Sequence, residues 1–118
     1  TFNGKREISI QGDWILLSWA MENLMKNAVD AIGSGNGKIA VDISKNNNGI
    51  QIEISDTGKG IPRMDWKNIF LPGYSSKRRG WGLGLSLTMR IIKEIHQGEI
   101  HVLRSKPGDT VFQIKLPV

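Results

Sequence analysis

The chain has 118 residues, 39% of them apolar and 23% charged, with a formal charge of +5 and no cysteine. This is the length of one domain with a real core, which argues against intrinsic disorder, and the lack of cysteine excludes disulfides and thiolate metal sites. The basic excess suits a polyanionic partner, either a nucleotide or a nucleic acid.

Glu7 to Gln11 alternates and predicts a strand. Asp13 is a good N-cap, and Trp14, Leu17, Met21, Leu24, Ala28 and Ala31 follow at spacings of three and four, one face of a long helix. That helix should end near Ile32, at the glycine-rich run beginning with Gly33. Ile39, Val41 and Ile43 alternate, as do Ile50, Ile52 and Ile54, with Asn46 to Gly49 between them, which predicts an antiparallel hairpin. Asp56 to Pro62 is a glycine-rich turn, and Met64 to Ile69 a short helical turn. Leu71 to Gly80 reads as an exposed loop. A second helix is expected from about Gly84 to Ile95, burying Leu85, Thr88, Ile92 and Ile95, with Met89 and Ile91 widening the stripe, and Gly98 ending it. Glu99 to Arg104 and Thr110 to Lys115 predict a second hairpin turned at Pro107 to Asp109. This order implies one α/β domain over residues 1–118, with a mixed, largely antiparallel sheet and helices on one face. The apolar runs are too short to span a bilayer, and the polar start carries no signal peptide. A chain beginning without Met reads as a piece of something longer.

Three segments carry candidate chemistry. Asn23, Asn27 and Asp30 fall on one stripe of the first helix. Their residue types fit either a solvated face or amide oxygens offered to a hard cation and phosphates. Asp56-Thr57-Gly58-Lys59-Gly60-Ile61 follows a strand directly. It reads either as a turn or as a carboxylate able to accept from an exocyclic amine, with glycines that would let a flat base approach the backbone. Lys77 to Leu85 places Gly80, Gly82 and Gly84 before a helix, which reads either as a flexible basic loop or as an anion site. Gly33 to Lys38 is not a phosphate loop, because it runs from helix to strand. His96 and His101 have too little company for a metal site.

In order along the chain, these segments resemble the catalytic domain of sensor histidine kinases, in the superfamily shared with gyrase and heat-shock chaperone ATPases. Glu22 to Ala28 looks like the asparagine box, and Asp56 to Ile61 the first glycine box. Ile69 to Lys77 is similar to the phenylalanine box and lid, and Gly80 to Ser86 to the second glycine box. Gly108 to Phe112 resembles the last box. The resemblance covers nearly the whole chain. It implies a two-layer α/β sandwich of Bergerat type with a mobile ATP lid, and ATP and Mg²⁺ as cofactors. It implies that Asn27 ligates Mg²⁺, with Asn23 near the phosphates, and that Asp56 holds the adenine amine, with Gly58, Gly60 and Ile61 shaping the base pocket. Lys77 would reach a phosphate, Tyr74, Ser75 and Ser76 would belong to the lid, and Gly82, Leu83, Gly84 and Leu85 would offer backbone amides to phosphates. Thr110 would complete the pocket. Asn23, Asn27 and Lys77 are thus the expected catalytic residues.

Asn23 stands where hydrolysing members carry a glutamate, and an amide cannot take a proton from water, so a kinase is implied rather than an ATPase. Trp81 stands where threonine is common, and many members carry a basic residue near the position of Asp30. The implied partners are a phospho-acceptor helical domain, absent here, and a response regulator. No nucleic acid is implied, a membrane would enter only through absent parts of the parent, and a monomeric fragment with a cytoplasmic location is expected. The alternatives are a serine kinase of the anti-sigma type, a non-catalytic nucleotide-binding module, or a nucleic-acid binder using Lys77-Arg78-Arg79.

Overall fold

The computed structural model describes residues 2–3, 12–72 and 84–117. Asp13 starts the longest element, α1 (Trp14–Ile32): its carboxylate accepts the Leu16 N–H at 3.1 Å, satisfying one of the donors a helix leaves open at its start. Gly33, at φ 73°, ends it and donates its N–H to Val29 O at 3.1 Å. The buried face is Leu17, Ala20, Leu24 and Ala28. This corrects the expected stripe. Ala20 is fully buried, Met21 and Ala31 are only half-buried, and Trp14, in the first turn, is 76% exposed.

Two hairpins build the sheet. β2 (Ile39–Asn46) and β3 (Gly49–Asp56) pair antiparallel around a two-residue turn, as do β4 (Glu99–Lys106) and β5 (Asp109–Pro117). A two-residue strand, β1 (Phe2–Asn3), pairs parallel with β2, giving the order β1-β2-β3-β5-β4. The strand expected at Glu7 to Gln11 lies outside the described residues. Because side chains alternate across a strand, one face collects Ile52, Ile54, Ile100, Val102, Phe112, Ile114 and Leu116, which pack with Leu17, Ala20 and Leu24 of α1 as the core. Ile54, Ile92 and Ile114 are at most 1% exposed, and burial of this kind contributes about 1.5–3 kcal/mol per side chain. The two-layer sandwich with helices on one face is therefore as expected.

Between β3 and β4 run two 3-10 turns, Arg63–Asp65 and Asn68–Phe70, and then α2 (Gly84–Arg90). Phe70 is buried edge-on against Phe112, with centroids 6.2 Å apart. α2 passes into a wide π turn over Ile91–Ile95. The extra residue shifts the helical phase, which corrects the expected stripe: Ile95 turns outward at 49% exposure, and His96 takes the buried place. Both ring nitrogens of His96 are used. Nδ1 lies 2.7 Å from Ile91 O, and Nε2 accepts the Asp13 N–H at 2.9 Å. With a carbonyl at one nitrogen and an N–H at the other, the ring is the tautomer protonated at Nδ1. It ties the end of the second helix to the start of the first.

Candidate functional site

β3 ends at Asp56, on the same side of the sheet as Ile54 and so facing the helical layer. Asp56 is only 5% exposed. Its Oδ1 accepts the Gly58 N–H at 2.8 Å, the local bond that makes Asp a turn former. Burial pushes its carboxyl above the ordinary 3.8, the Gly58 N–H opposes that, and the nearby Asp109 charge adds to the rise. A buried acid with a perturbed titration at a strand end is a candidate binding or catalytic group.

The turn after it is clamped by three neighbours. A Cβ at Gly58 would lie 2.6–2.7 Å from the backbone and Cβ of Ala31, so only glycine lets the last turn of α1 rest there. Lys59 N–H donates to Ala31 O at 3.0 Å, and Gly108 N–H, from the β4–β5 turn, donates to Gly58 O at 2.8 Å. Thr57 Oγ1 accepts the Lys38 N–H at 2.9 Å. Gly60 has φ 85° and faces the Lys106 carbonyl, a conformation glycine adopts without strain.

The far end of the turn is held by hydroxyls. Ile61 N–H donates to Ser105 Oγ at 2.7 Å, and that hydroxyl lies 2.7 Å from Thr110 Oγ1. A β-bulge creates this contact. Register shifts between Val102 and Arg104, so that Ser105 pairs with Thr110; an unbroken register would have put Arg104 there. The Trp66 indole N–H donates to Ile61 O at 2.9 Å, and the Arg63 guanidinium covers the Trp66 ring at 4.3 Å. Asp56, Gly58, Gly60, Ile61 and Thr110 are therefore brought together.

The middle of α1 meets α2. A Cβ on Gly84 would lie 2.9 Å from Asn23 Oδ1, so that amide oxygen sits beside the first turn of α2. Asn23 Nδ2 donates back to Trp19 O at 2.9 Å, which aims the oxygen. Asn27 is half-buried one turn further along α1, and Ala31 one turn beyond that. Asn23 and the glycine turn are thus separated by eight residues of one helix, about 12 Å. Leu85 is half-buried against the core. Glu22 and Asp30 are exposed. Tyr74, Ser75, Ser76, Lys77, Gly82 and Leu83 lie outside the described residues, as does Trp81. Among the described residues no three His, Cys, Asp or Glu form a group that could hold a metal.

Sequence reasoning missed Ser105, Thr57 and Ala31. Ser105 is hidden because a bulge cannot be seen in an alternating pattern. Ala31 was read only as a stripe residue, and nothing in the sequence marks its backbone as the surface the glycine turn rests on.

The chain belongs to the family of histidine kinase-, DNA gyrase B- and HSP90-like ATPases, which matches it over residues 12–118. Sporulation kinase B of Bacillus subtilis is 39% identical over 111 residues, covering 94% of this chain and 26% of that protein. Sensor histidine kinase ZraS of Escherichia coli K12 is 37% identical over 109 residues, covering 92% and 23%. The chain thus spans about a quarter of the length of these curated relatives. The catalytic domain of histidine kinase ThkA superposes with a TM-score of 0.87 at 28% identity, covering 98% of this chain and 75% of that one. The fold is the Bergerat-type α/β sandwich, and the chain is a catalytic, ATP-binding domain of the sensor histidine kinase kind. No described helix is long and apolar enough to cross a membrane.

Proposed function

We propose that this chain binds Mg-ATP between the glycine turn and the Asn23–Gly84 contact, and presents the γ-phosphoryl group to a histidine on a separate helical domain of its parent. The observation that carries this reading is the reach of α1. One helix rests its last turn on the loop that buries Asp56, and its middle turn brings Asn23 to Gly84. A purine with its phosphates fits along such a run, base at the buried acid and phosphates at the start of α2.

Each residue then has a physical task. Ionised Asp56 accepts a hydrogen bond from the exocyclic amine of adenine. Gly58 and Gly60 leave room for the flat base, and Ile61, from the loop after β3, and Thr110, from β5, close the pocket. Asn27, with Asn23 beside it, supplies neutral oxygen donors of the kind Mg²⁺ takes alongside phosphate oxygens. The bound ion would neutralise phosphate charge. Gly84 and Leu85 border the phosphates; the other residues assigned to the nucleotide, Tyr74, Ser75, Ser76, Lys77, Gly82 and Leu83, lie outside the described residues. Phosphoryl transfer needs mainly positioning and charge compensation. The attacking imidazole brings its own lone pair, so no strong base is needed. An amide at Asn23 does not activate water, which favours transfer over hydrolysis. On this reading residues 1–118 form one catalytic domain on the cytoplasmic side, where ATP is available, and a response regulator takes the phosphoryl group next.

The test is transfer from radiolabelled Mg-ATP to the histidine-bearing helical domain, supplied as a separate protein. Acid-labile, alkali-stable label on that domain is the expected result. Label on His96 of the chain itself, or an acid-stable phosphoserine on a partner, would overturn it.

A further inference from the structure

Three strands line up polar side chains behind the glycine turn. Asp56 and Thr110 are register partners on β3 and β5, on the face that carries Ile54 and Phe112. Partners of this kind hold their Cβ atoms about 5 Å apart, so a carboxylate and a hydroxyl stand side by side. Both residues are buried, at 5% and 2% exposure. The bulge in β4 brings the half-buried Ser105 opposite Thr110 on its other side. Thr110 is therefore the middle of a row, between Asp56 and Ser105.

The hydrogens in this row can be counted. Ser105 Oγ accepts the Ile61 N–H at 2.7 Å and lies 2.7 Å from Thr110 Oγ1. One hydrogen fills the contact between the two hydroxyls, and the other hydroxyl hydrogen is left for a different acceptor. A hydroxyl that accepts a bond is polarised into a stronger donor, and Ser105 accepts from a fixed group. Ile61 is itself held, because the Trp66 indole N–H donates to its carbonyl at 2.9 Å. The chain of bonds thus runs from Ile61 N–H to Ser105 O–H to Thr110 Oγ1. The Thr110 hydrogen then points away from Ser105, on the side of the row where Asp56 stands.

We infer that Ser105 is a positioning residue for nucleobase choice: it fixes Thr110 as a hydrogen-bond donor beside the Asp56 acceptor, and that pair selects adenine over guanine. This rests on the proposed function, in which the base lies at Asp56. Adenine presents an exocyclic amine, a donor, next to a bare ring nitrogen, an acceptor, and so complements the pair. Guanine presents a carbonyl oxygen and a ring N–H at the same two places. Acceptor would then meet acceptor and donor would meet donor, and polar groups left unmatched in a buried site are what make it reject a close analogue. Without the Ser105 hydroxyl, Thr110 turns either its hydrogen or its lone pairs to the base, and its share of the discrimination is lost.

The test is titration of the chain with Mg-ATP, and displacement of bound Mg-ATP by Mg-GTP, with thermal melting recorded for every variant. Ser105→Ala removes the hydroxyl. Ser105→Cys keeps the bulk with only a weak hydrogen-bonding group, so one variant still reports if the other fails to fold. The expected result for both is a fall of about tenfold in the ratio of ATP to GTP affinity. Thr110→Val is expected to lower the ratio by a similar factor, and Ser105→Ala added to it to lower the ratio no further. A ratio unchanged in both Ser105 variants would overturn the inference, whatever the melting temperature does. So would a fall on Ser105→Ala that is as large without the Thr110 hydroxyl as with it, since Ser105 would then act through the Ile61 loop alone. An unsubstituted chain that binds both nucleotides equally would also overturn it while leaving the proposed function standing. A chain that binds neither would sink the proposed function, and this inference with it.

Discussion

Asp56→Asn separates recognition from stability. The carboxylate spends one oxygen on the Gly58 N–H at 2.8 Å, leaving the other for the adenine amine. An asparagine keeps one oxygen for Gly58 and turns an NH₂ toward the ligand, so a donor meets a donor. The loss is one charge-assisted hydrogen bond, about 1.5–3 kcal/mol, or roughly a 10- to 150-fold weaker Kd. Stability moves the other way. Burial raises the Asp56 carboxyl above its ordinary 3.8, so the folded chain holds that proton more tightly than the unfolded chain does. The associated stability is present below the unfolded value and is lost as pH rises through the folded one. At neutral pH the buried charge is therefore a cost, and its removal is expected to leave the melting temperature unchanged or raised. Nucleotide binding has the opposite pH sense, because it needs the ionised form and weakens as pH falls through the raised pKa. Calorimetric titration and thermal melting of both proteins provide the measurements. Affinity within twofold of the unsubstituted chain would refute the reasoning.

Gly58→Ala places a methyl 2.6–2.7 Å from Ala31, and overpacking of this kind costs about 1–3 kcal/mol. A melting point lowered by several degrees, together with weaker nucleotide binding, is expected, and an unchanged melting curve would contradict the close contact. His96→Phe leaves the Asp13 N–H and Ile91 O without their bonds, a loss on the order of 2–5 kcal/mol. Denaturant unfolding reads it, and a loss below about 0.5 kcal/mol would mean that water replaces the ring at no cost. Asn27→Ala is expected to weaken Mg-ATP binding at least tenfold while changing metal-free nucleotide binding far less; equal losses would remove the metal role.

The elements were legible because their periods are clean. Alternating isoleucines fixed both strands of the first hairpin, and Asp13 and Gly33 bracketed α1 as capping chemistry requires. What the pattern did not disclose was geometry that breaks a period. The π turn at Ile91 exchanged Ile95 for His96 in the core, and the bulge at Leu103 exchanged Arg104 for Ser105 opposite Thr110. Neither leaves a compositional mark. Trp14 sits at the right spacing for the stripe yet projects away from the packed face, because periodicity assigns a phase and not the extent of the surface it meets. In the site, the residue types of Asp56 and Asn23 were readable, but the contacts that give them meaning, Gly58 on Ala31 and Gly84 on Asn23, join parts of the chain that only the tertiary fold brings together.

Titration of the isotopically labelled chain with Mg-ATP, followed by amide NMR, addresses the pocket directly. The account predicts saturable shifts at Asp56, Gly58, Ile61, Asn23, Asn27 and Gly84, with the exposed Ile95 left in place. Shifts confined to other surfaces, or none at millimolar nucleotide, would contradict it.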